Sequence, residues 1–403
     1  MSVLSGKKIL LGVSGGIAAY KTASLVRLFI KAGAHVQVIM TPASKDFVTP
    51  LTLSTLSKNP VYSTFFNQDE EDEKWNNHVE LGLWADLMLI APATANTMSK
   101  MANGTCDNLL IATYLSAKCP VYFAPAMDLD MYKHPSTLSS FTALEQFGNT
   151  IIPAESGELA SGLSGEGRMA ELENIIAFLE ADLESKLPLK GKKILITAGP
   201  TYEAIDPVRF VGNHSSGKMG FDIAKSAANL GASVILVTGP THCFVNHSLI
   251  KVIKVVSAQE MYDACHQFYA DVDVAIAAAA VADYKPKNVA EQKIKKAEDH
   301  FVIELEKTKD ILLSLGKAKK QQFLIGFALE TENEIENAKA KIQKKNLDLI
   351  VLNSLQDEGA GFQKTTNKVT FIDKDFKIEP MELKSKEAVA DDILNKVIAH
   401  FYE

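Results

Sequence analysis

Cysteine is scarce in this chain, and the few that occur are scattered. Cys106, Cys119, Cys243 and Cys265 form no CxxC pair in 403 residues. That argues against a disulfide framework and a zinc site, and predicts a reducing, cytoplasmic setting. Long apolar runs are also missing, since none approaches the roughly 20 residues of a membrane span. The N-terminal KKILLGVSGGIAAYK is broken by Ser14-Gly15-Gly16 with no small-residue cleavage site after it, so it reads as a strand and turn, not a signal peptide. An excess of positive charge is absent too. A net charge of −7 and a pI near 5.8 exclude a general binder of nucleic acid or membrane surfaces. An anionic ligand would therefore need a local cationic pocket.

What remains is an ordinary globular composition, 47% apolar and 23% charged, in a chain too long for one core. The chain also begins twice. GKKIL occurs at Gly6–Leu10 and again at Gly191–Leu195. In the first case it leads through a strand Lys8–Val13, the turn Ser14-Gly15-Gly16, a helix over about Ala18–Ala32 ended by Gly33, and a strand His35–Met40. In the second it leads through a strand Lys193–Thr197, a loop, a helix near Gly220–Leu230 ended by Gly231, and a strand Ser233–Val237. Strand–helix–strand units with glycine after the helix predict right-handed parallel crossovers. The expected fold is α/β, with two Rossmann-like doubly wound parallel-sheet domains over residues 1–187 and 191–403, joined near Pro188-Leu189-Lys190.

Further strands are expected at Leu87–Ala91, Pro120–Ala124, Phe301–Leu305, Phe323–Ala328 and Asp348–Asn353. Helices are expected at Glu171–Leu187, Glu332–Lys345 and Ser385–Tyr402, and a hairpin over Phe362–Ile378. The acidic run Asp69–Glu73 reads as a solvated loop. The four glycines of Gly157–Arg168 read as a flap or ligand loop with no regular element. The small-residue run AIAAAAVA within Val272–Ala282 predicts close approach by a ligand or another backbone.

Ser14-Gly15-Gly16, at a strand-to-helix turn, can cradle one phosphate on backbone N–H groups. GVSGGIA is not GxGxxG, and Met40-Thr41 stands where a dinucleotide fold carries an acidic residue, so a mononucleotide is favoured over NAD. A bare tight turn remains the alternative from this motif alone. An NAD(P)-linked oxidoreductase using both starts is disfavoured by the missing fingerprint.

The segments NNHVELGLWAD around His78, APATANT (Ala91–Thr97), PAMDLDMY (Pro125–Tyr132) and SGELASGLSGEGRM (Ser156–Met169) together resemble the flavin-containing cysteine decarboxylases. More specifically, they resemble the phosphopantothenoylcysteine decarboxylase half of the bifunctional coenzyme A biosynthesis proteins. The resemblance implies a flavodoxin-like first domain with FMN held at Gly12, Ser14, Gly15, Gly16, Thr41, Thr94 and Asn96, and with His78 as acid/base. It implies oxidation beside the substrate thiol by the flavin, loss of CO₂ from a carboxylate β to C=S, and hydride return to the enethiolate. Two positions depart from the family's pattern. Asp128 stands where its PxMN motif has Asn, and Ser161 where its flap has a proton-donating cysteine. A hydroxyl is a far weaker acid than a thiol of pKa about 8.5, so a protonated Asp128 or a water becomes the candidate acid. The alternative is a flavin-binding scaffold with no lyase activity.

In the second half, TAGPTYEAIDPVRFVGNHSSGKMG, AAAAVADYKPK, EQKIKK, IGFALET and KKNLDLIVLN occur in order and resemble the phosphopantothenate–cysteine ligase half of the same family. The resemblance implies carboxylate activation by CTP, with the nucleotide held by Asp283, Lys293, Lys309, Asp310, Ile311, Leu312, Phe327, Lys341 and Lys345. Lys341 and Lys345 are i, i+4 on one helix face. Asn213 would hydrogen-bond the acyl-nucleotide and Lys293 would act in catalysis. Arg209, Ser215, Ser216 and Gly217 would bind substrate, and Mg²⁺ would accompany the triphosphate. SSGK is not a P-loop, because the first Gly and the spacing of GxxxxGK[ST] are missing. The residues themselves do not separate CTP from ATP. The implied substrates are 4′-phosphopantothenate, L-cysteine and CTP. The implied assembly is a homo-oligomer, trimeric through the flavin domain and dimeric through the ligase domain.

Overall fold

The two GKKIL segments become the same element twice. The computed structural model describes residues 2–66, 75–158, 162–295, 301–330, 332–354 and 366–402. The chain divides into two compact units, Met1–Ser185 and Lys186–Glu403. The first contains β1 (Lys8–Val13), β2 (His35–Met40), β3 (Val61–Tyr62), β4 (Leu87–Ala93), β5 (Val121–Pro125) and β6 (Thr150–Ile151). These form a parallel sheet in the order β3-β2-β1-β4-β5-β6. The doubly wound class is as expected. Its strand order is that of dinucleotide-binding folds and not the 2-1-3-4-5 of flavodoxin.

Alternation along β1 separates two cores. Ile9, Leu11 and Val13 join Leu25, Val26 and Phe29 of the helix Thr22–Lys31, and Ile175 and Leu179 of the helix Leu172–Ser185. Leu10 faces the other way, toward Met98 and Met101 of the helix Ala95–Asn103 and Phe141 and Leu144 of the helix Pro135–Gln146. Both faces are covered, which is why the strands read as unbroken apolar runs. The first helix differs in its opening turn, which is 3₁₀ over Ile17–Lys21.

Gly157–Arg168 is a correction. β7 (Glu155–Glu158) and β8 (Ser164–Arg168) form an antiparallel hairpin. Its glycines permit contact with the neighbouring segment: a Cβ on Gly167 would lie 2.5 Å from the Met127 carbonyl oxygen, and one on Gly165 2.6 Å from Leu129. Ser161, between the two strands in sequence, and the acidic run Asp69–Glu73 lie outside the described residues.

The second unit repeats the scheme and extends it. β9 (Lys193–Ala198) is followed by a small hairpin of β10 (Tyr202–Ala204) and β11 (Phe210–Gly212), then β12 (Ser233–Thr238), β13 (Ile250–Lys254) and β14 (Val274–Ala277). A second hairpin pairs β15 (Tyr284–Pro286) with β16 (Leu305–Lys307), before β17 (Phe323–Glu330) and β18 (Leu349–Ser354). β19 (Thr366–Asn367) pairs with β22 (Lys384–Ser385), and β20 (Val369–Asp373) pairs with β21 (Ile378–Pro380) at the sheet edge. The main sheet runs β13-β12-β9-β14-β17-β18-β20-β21. Its six parallel strands, renumbered in chain order, are again 3-2-1-4-5-6. Gly33 and Gly231, at equivalent helix ends, both have positive φ, +88° and +95°.

Ile194, Ile196 and Ala198 pack against the helices Lys218–Asn229 and Lys386–Tyr402. Leu195 packs on the opposite face, with the helices Ala258–Tyr269, Ile311–Ala318 and Glu334–Lys345. The strand expected at Phe301–Leu305 begins only at Leu305. Phe301 and Val302 are exposed, so their β-type pattern has no face to bury. The expected hairpin over Phe362–Ile378 is described only from Thr366 on.

Candidate functional sites

In the first unit, β1 and β4 diverge at the topological switch point, where doubly wound sheets bind ligands. The buried Ser14 ties the two exits together. Its hydroxyl donates to the Pro92 carbonyl at 2.6 Å and accepts from the Thr94 N–H at 3.1 Å. A Cβ on Gly12 would lie 2.5 Å from Leu110 Cδ1. Gly12 therefore allows helix-to-sheet packing, and neither it nor Ser14 lines the cleft beyond. Gly15, Gly16, Thr41, Thr94 and Asn96 do line it, around a volume of ≈ 990 Å³.

Part of the lining of this cleft is polar. It carries the turn after Gly16 and the start of the helix Ala95–Asn103, whose N-cap Thr94 accepts from the Thr97 N–H. Lys21, Lys100 and Arg168 stand around it, paired with Glu171, Asp107 and Glu171 respectively. Met127, Met131 and Met169 supply an apolar wall. The Thr41 hydroxyl is buried and has no hydrogen-bond partner, which for a buried polar atom points to a missing ligand. These residues fit a flat, partly apolar group carrying one phosphate.

Asp128 also lines the cleft, where its Oδ1 caps the helix Leu129–Lys133 by accepting from the Leu129 N–H at 2.7 Å. His78 does not line it. It opens the helix His78–Trp84, its ring edge-on to Trp75 and Phe65 at 5.8 and 6.3 Å, with Nδ1 buried and unpartnered.

The second unit closes its switch point with backbone. Thr197 Oγ1 accepts from the Ala279 N–H, Thr201 Oγ1 accepts from the Ala282 N–H, and Pro200 bridges to Ala280. The alanine run thus admits another backbone. A smaller cleft of ≈ 170 Å³ opens alongside, lined by Ser215, Ser216, Gly217, Phe327, Asn353, Asn367 and Lys386 among others. Gly217, at φ +80°, caps the helix Lys218–Asn229.

The other expected ligase residues lie outside this cleft. Arg209 is committed to the buried Asp206, donating through Nε at 2.9 Å and through Nη2, and it also donates to the Ile294 carbonyl at 2.9 Å. Those Arg209 hydrogen bonds hold the Asp206 carboxyl well below the usual range. Asp206 in turn accepts from the Ile294 N–H. The pair therefore positions the segment that presents the exposed Lys293. Asn213 spends its amide N–H groups on the Ala280 and Val281 carbonyls, both at 3.1 Å. The Asp283 side chain is exposed, and its carbonyl accepts from the Thr308 N–H.

Lys309 lies 4.8 Å from the centre of the Tyr262 ring. Asp310 caps the helix Ile311–Ala318 and pairs with Lys345 at 2.8 Å, while Lys341 pairs with Glu330. Burial pushes the Asp310 carboxyl up, but Lys345 and the Leu313 N–H more than offset it, and the net shift is downward.

Ile311, Leu312 and Phe327, all expected to hold the nucleotide, do not meet on one face of the sheet. Along β17, Phe327 points to the face of the helix Lys218–Asn229, while Ile311 and Leu312 pack on the opposite face. Strand alternation decides this. Among the described residues no group of three or more His, Cys, Asp or Glu could hold a metal ion.

Residues 2–184 match the Flavoprotein family, and residues 189–401 match the DNA/pantothenate metabolism flavoprotein C-terminal domain. The coenzyme A biosynthesis bifunctional protein CoaBC of Bacillus subtilis is 44% identical over 98% of this chain and 98% of its own. The chain belongs to the family of bifunctional coenzyme A biosynthesis proteins. A cysteine/cysteine sulfinic acid decarboxylase from an unknown prokaryotic organism is 54% identical over 87% of this chain and 99% of its own. The solved C-terminal domain of a CoaBC protein is 46% identical over 54% of this chain and 99% of its own, with a TM-score of 0.46.

Sequence reasoning did not single out Lys386. It is 6% exposed and lines the second cleft. The available signal was its place at the first position of the C-terminal helix, where a cation opposes the helix dipole. Thr241 was also missed. Its hydroxyl donates to the Ser216 carbonyl at 2.6 Å and holds the loop that lines this cleft.

Proposed function

We propose that the second unit joins 4′-phosphopantothenate to L-cysteine at the expense of CTP, through an acyl-cytidylate, and that the first unit decarboxylates the product to 4′-phosphopantetheine. The observation carrying this reading is a separate cleft beside the β1/β4-type switch point of each sheet, in a chain 44% identical to bifunctional relatives along nearly its whole length.

In the first unit, the N–H groups after Gly16 and Thr94 and the Thr41 hydroxyl would hold FMN, with the three methionines against its ring. Bound there, the flavin supplies reversible hydride transfer beside the substrate's thiol. The chain's own residues bind the substrate, exclude water and move protons. Asp128 is the acid within the cleft, since Ser161 carries a hydroxyl that donates protons poorly. His78, which does not line its own chain's cleft, is supplied to the cleft of a second copy. That assignment supports a homo-oligomer built through this unit; a trimer here and a dimer through the second unit are what the family resemblance implies.

In the second unit, Lys341 and Lys345 exchange their carboxylate partners for the triphosphate, which brings Mg²⁺ with it. Lys293, on the segment held by Asp206 and Arg209, neutralises charge as the acyl-cytidylate forms. Four free cysteines support a cytoplasmic setting.

Mass analysis of products from CTP, 4′-phosphopantothenate, cysteine and FMN-loaded protein tests the reading. Both the ligated acid and the decarboxylated thiol are expected. The ligated acid alone would leave the first unit as a flavin-binding scaffold. A second reading is favoured by the 54% identical relative, namely decarboxylation of free cysteine or cysteine sulfinate. CO₂ released from either compound without CTP would support it.

A further inference from the structure

The second cleft contains a buried cation and a buried acceptor to which the ligase reading gives no role. Lys386 is 6% exposed and Asn367 3%, and both line the cleft beside Ser215–Gly217. Asn367 donates through Nδ2 to Asn353 Oδ1 at 3.0 Å, and its own Oδ1 is buried with no partner. An unsatisfied acceptor of this kind is rare in a folded protein and points to a donor that arrives with a ligand.

The cleft floor gathers positive charge. Lys218 is bound to Asp222 at 2.8 and 3.0 Å, and Asp222 also acts on Lys386. Another carboxylate, that of Glu387, is 71% exposed and 3.8 Å from Lys218. The Gly217 and Lys218 N–H groups at the helix start are met by the Ser215 and Ser216 hydroxyls, at 3.3 and 3.4 Å. Contacts this long are readily exchanged for a charged oxygen. Burial, with Lys218 nearby, lowers the Lys386 pKa, a cost that an anionic ligand offsets.

We propose that Lys386, beside the Gly217–Lys218 helix start, binds the phosphate monoester of the acid substrate, and that Asn367 accepts a hydrogen bond from a hydroxyl or amide on the same molecule. This assignment rests on the ligase reading of the second unit. The alternative anion is the nucleotide triphosphate. The lysines given to that triphosphate, Lys341 and Lys345, belong to the helix on the opposite face of the sheet. Phe327 and Leu329 give the cleft an apolar wall, suited to the alkyl part of a short branched acid.

The test compares the full-length wild type with Lys386→Met and Lys386→Arg. Binding of 4′-phosphopantothenate and of pantothenate, which lacks the phosphate, is measured by calorimetry, and KM by ligation assay. Lys386→Met is expected to weaken binding of the phosphorylated acid by about tenfold to a hundredfold, leave pantothenate and the KM for CTP unchanged, and be partly rescued in Lys386→Arg. Equal losses for both acids, or an effect on CTP alone, would overturn the assignment. So would unchanged binding of the phosphorylated acid. A variant melting well below wild type is judged on Lys386→Arg and on the ratio between the two acids, which a general loss of folding does not alter. If the wild type binds the phosphorylated acid with this dependence on Lys386 but forms no ligated product, the ligase reading fails and the phosphate site stands.

Discussion

The two units share one sheet plan and differ in the loop that leaves its central strand. Both open with GKKIL, both place that strand third in a 3-2-1-4-5-6 parallel order, and both end the first crossover helix with a glycine of positive φ. In the first unit, β1 turns directly into a helical turn, and the switch point stays open as a cleft of ≈ 990 Å³. In the second, a hairpin comes after the strand, Thr197 and Thr201 clamp the alanine loop, and the remaining cleft of ≈ 170 Å³ lies toward β17 and β18. A doubly wound sheet thus provides the position of a site, while the first loop after the central strand sets its size and charge.

The contrast can be broken most severely at Gly316. A Cβ there would lie 1.8 Å from the Lys345 carbonyl oxygen. Gly316→Ala is expected to cost about 3 kcal/mol or more and to abolish ligation, while the flavin absorbance of the first unit persists. Ligation within about twofold of wild type would show that the helix Glu334–Lys345 is not needed in this seat.

Asp128→Asn probes the other unit. If Asp128 is the acid, CO₂ release from 4′-phosphopantothenoylcysteine drops about a hundredfold with flavin content unchanged. Full turnover would remove Asp128 from that role.

Lys345→Met separates a triphosphate ligand from a helix-cap partner. The expected outcome is a roughly tenfold higher KM for CTP, checked by initial rates. The same variant has a pH signature. Asp310 has a folded pKa below its ordinary value of about 4, so its carboxylate contributes stability above that pH and loses it as the pH falls through the lower folded value. Melting temperatures between about pH 5 and pH 3 are expected to fall less steeply in Lys345→Met than in wild type.

Thr41→Val gives opposite signs for apo and loaded protein. Removing an unpartnered buried hydroxyl should stabilise the apo form by about 1 kcal/mol, while FMN binding weakens about fivefold to tenfold. Titration with FMN and a melt without it read the two effects, and loss in both would mean that the hydroxyl has another partner.

The smallest effect concerns thiols. Burial pushes the Cys265 thiol up to about 12, whereas Cys106 is exposed. Alkylation at about pH 8 followed by mass analysis should label Cys106 first and Cys265 only on unfolding.

Much of the scaffold could be read in advance because strands covered on both faces must be continuously apolar, and because glycine marks a helix end locally. The hairpin Glu155–Arg168 could not. Its glycines are explained by Met127 and Leu129, which reach it only in the folded chain. The candidate sites divide in the same way. Gly15, Gly16, Thr94 and Asn96 meet in one cleft because each lies just beyond a strand whose end converges on the switch point. Gly12 carries the same kind of motif signal but faces Leu110, and Arg209 is consumed by Asp206.

The sequence by itself determined the two α/β units, the strand–helix–strand opening of each and the family, since these depend on local patterns and ordered motifs. Only the tertiary structure decided which side of β17 Phe327 faces, that Lys341 and Lys345 have carboxylate partners, and that Lys386 from the last helix lies beside Gly217. Those outcomes depend on strand parity and on contacts between segments far apart in the chain, which local pattern does not encode.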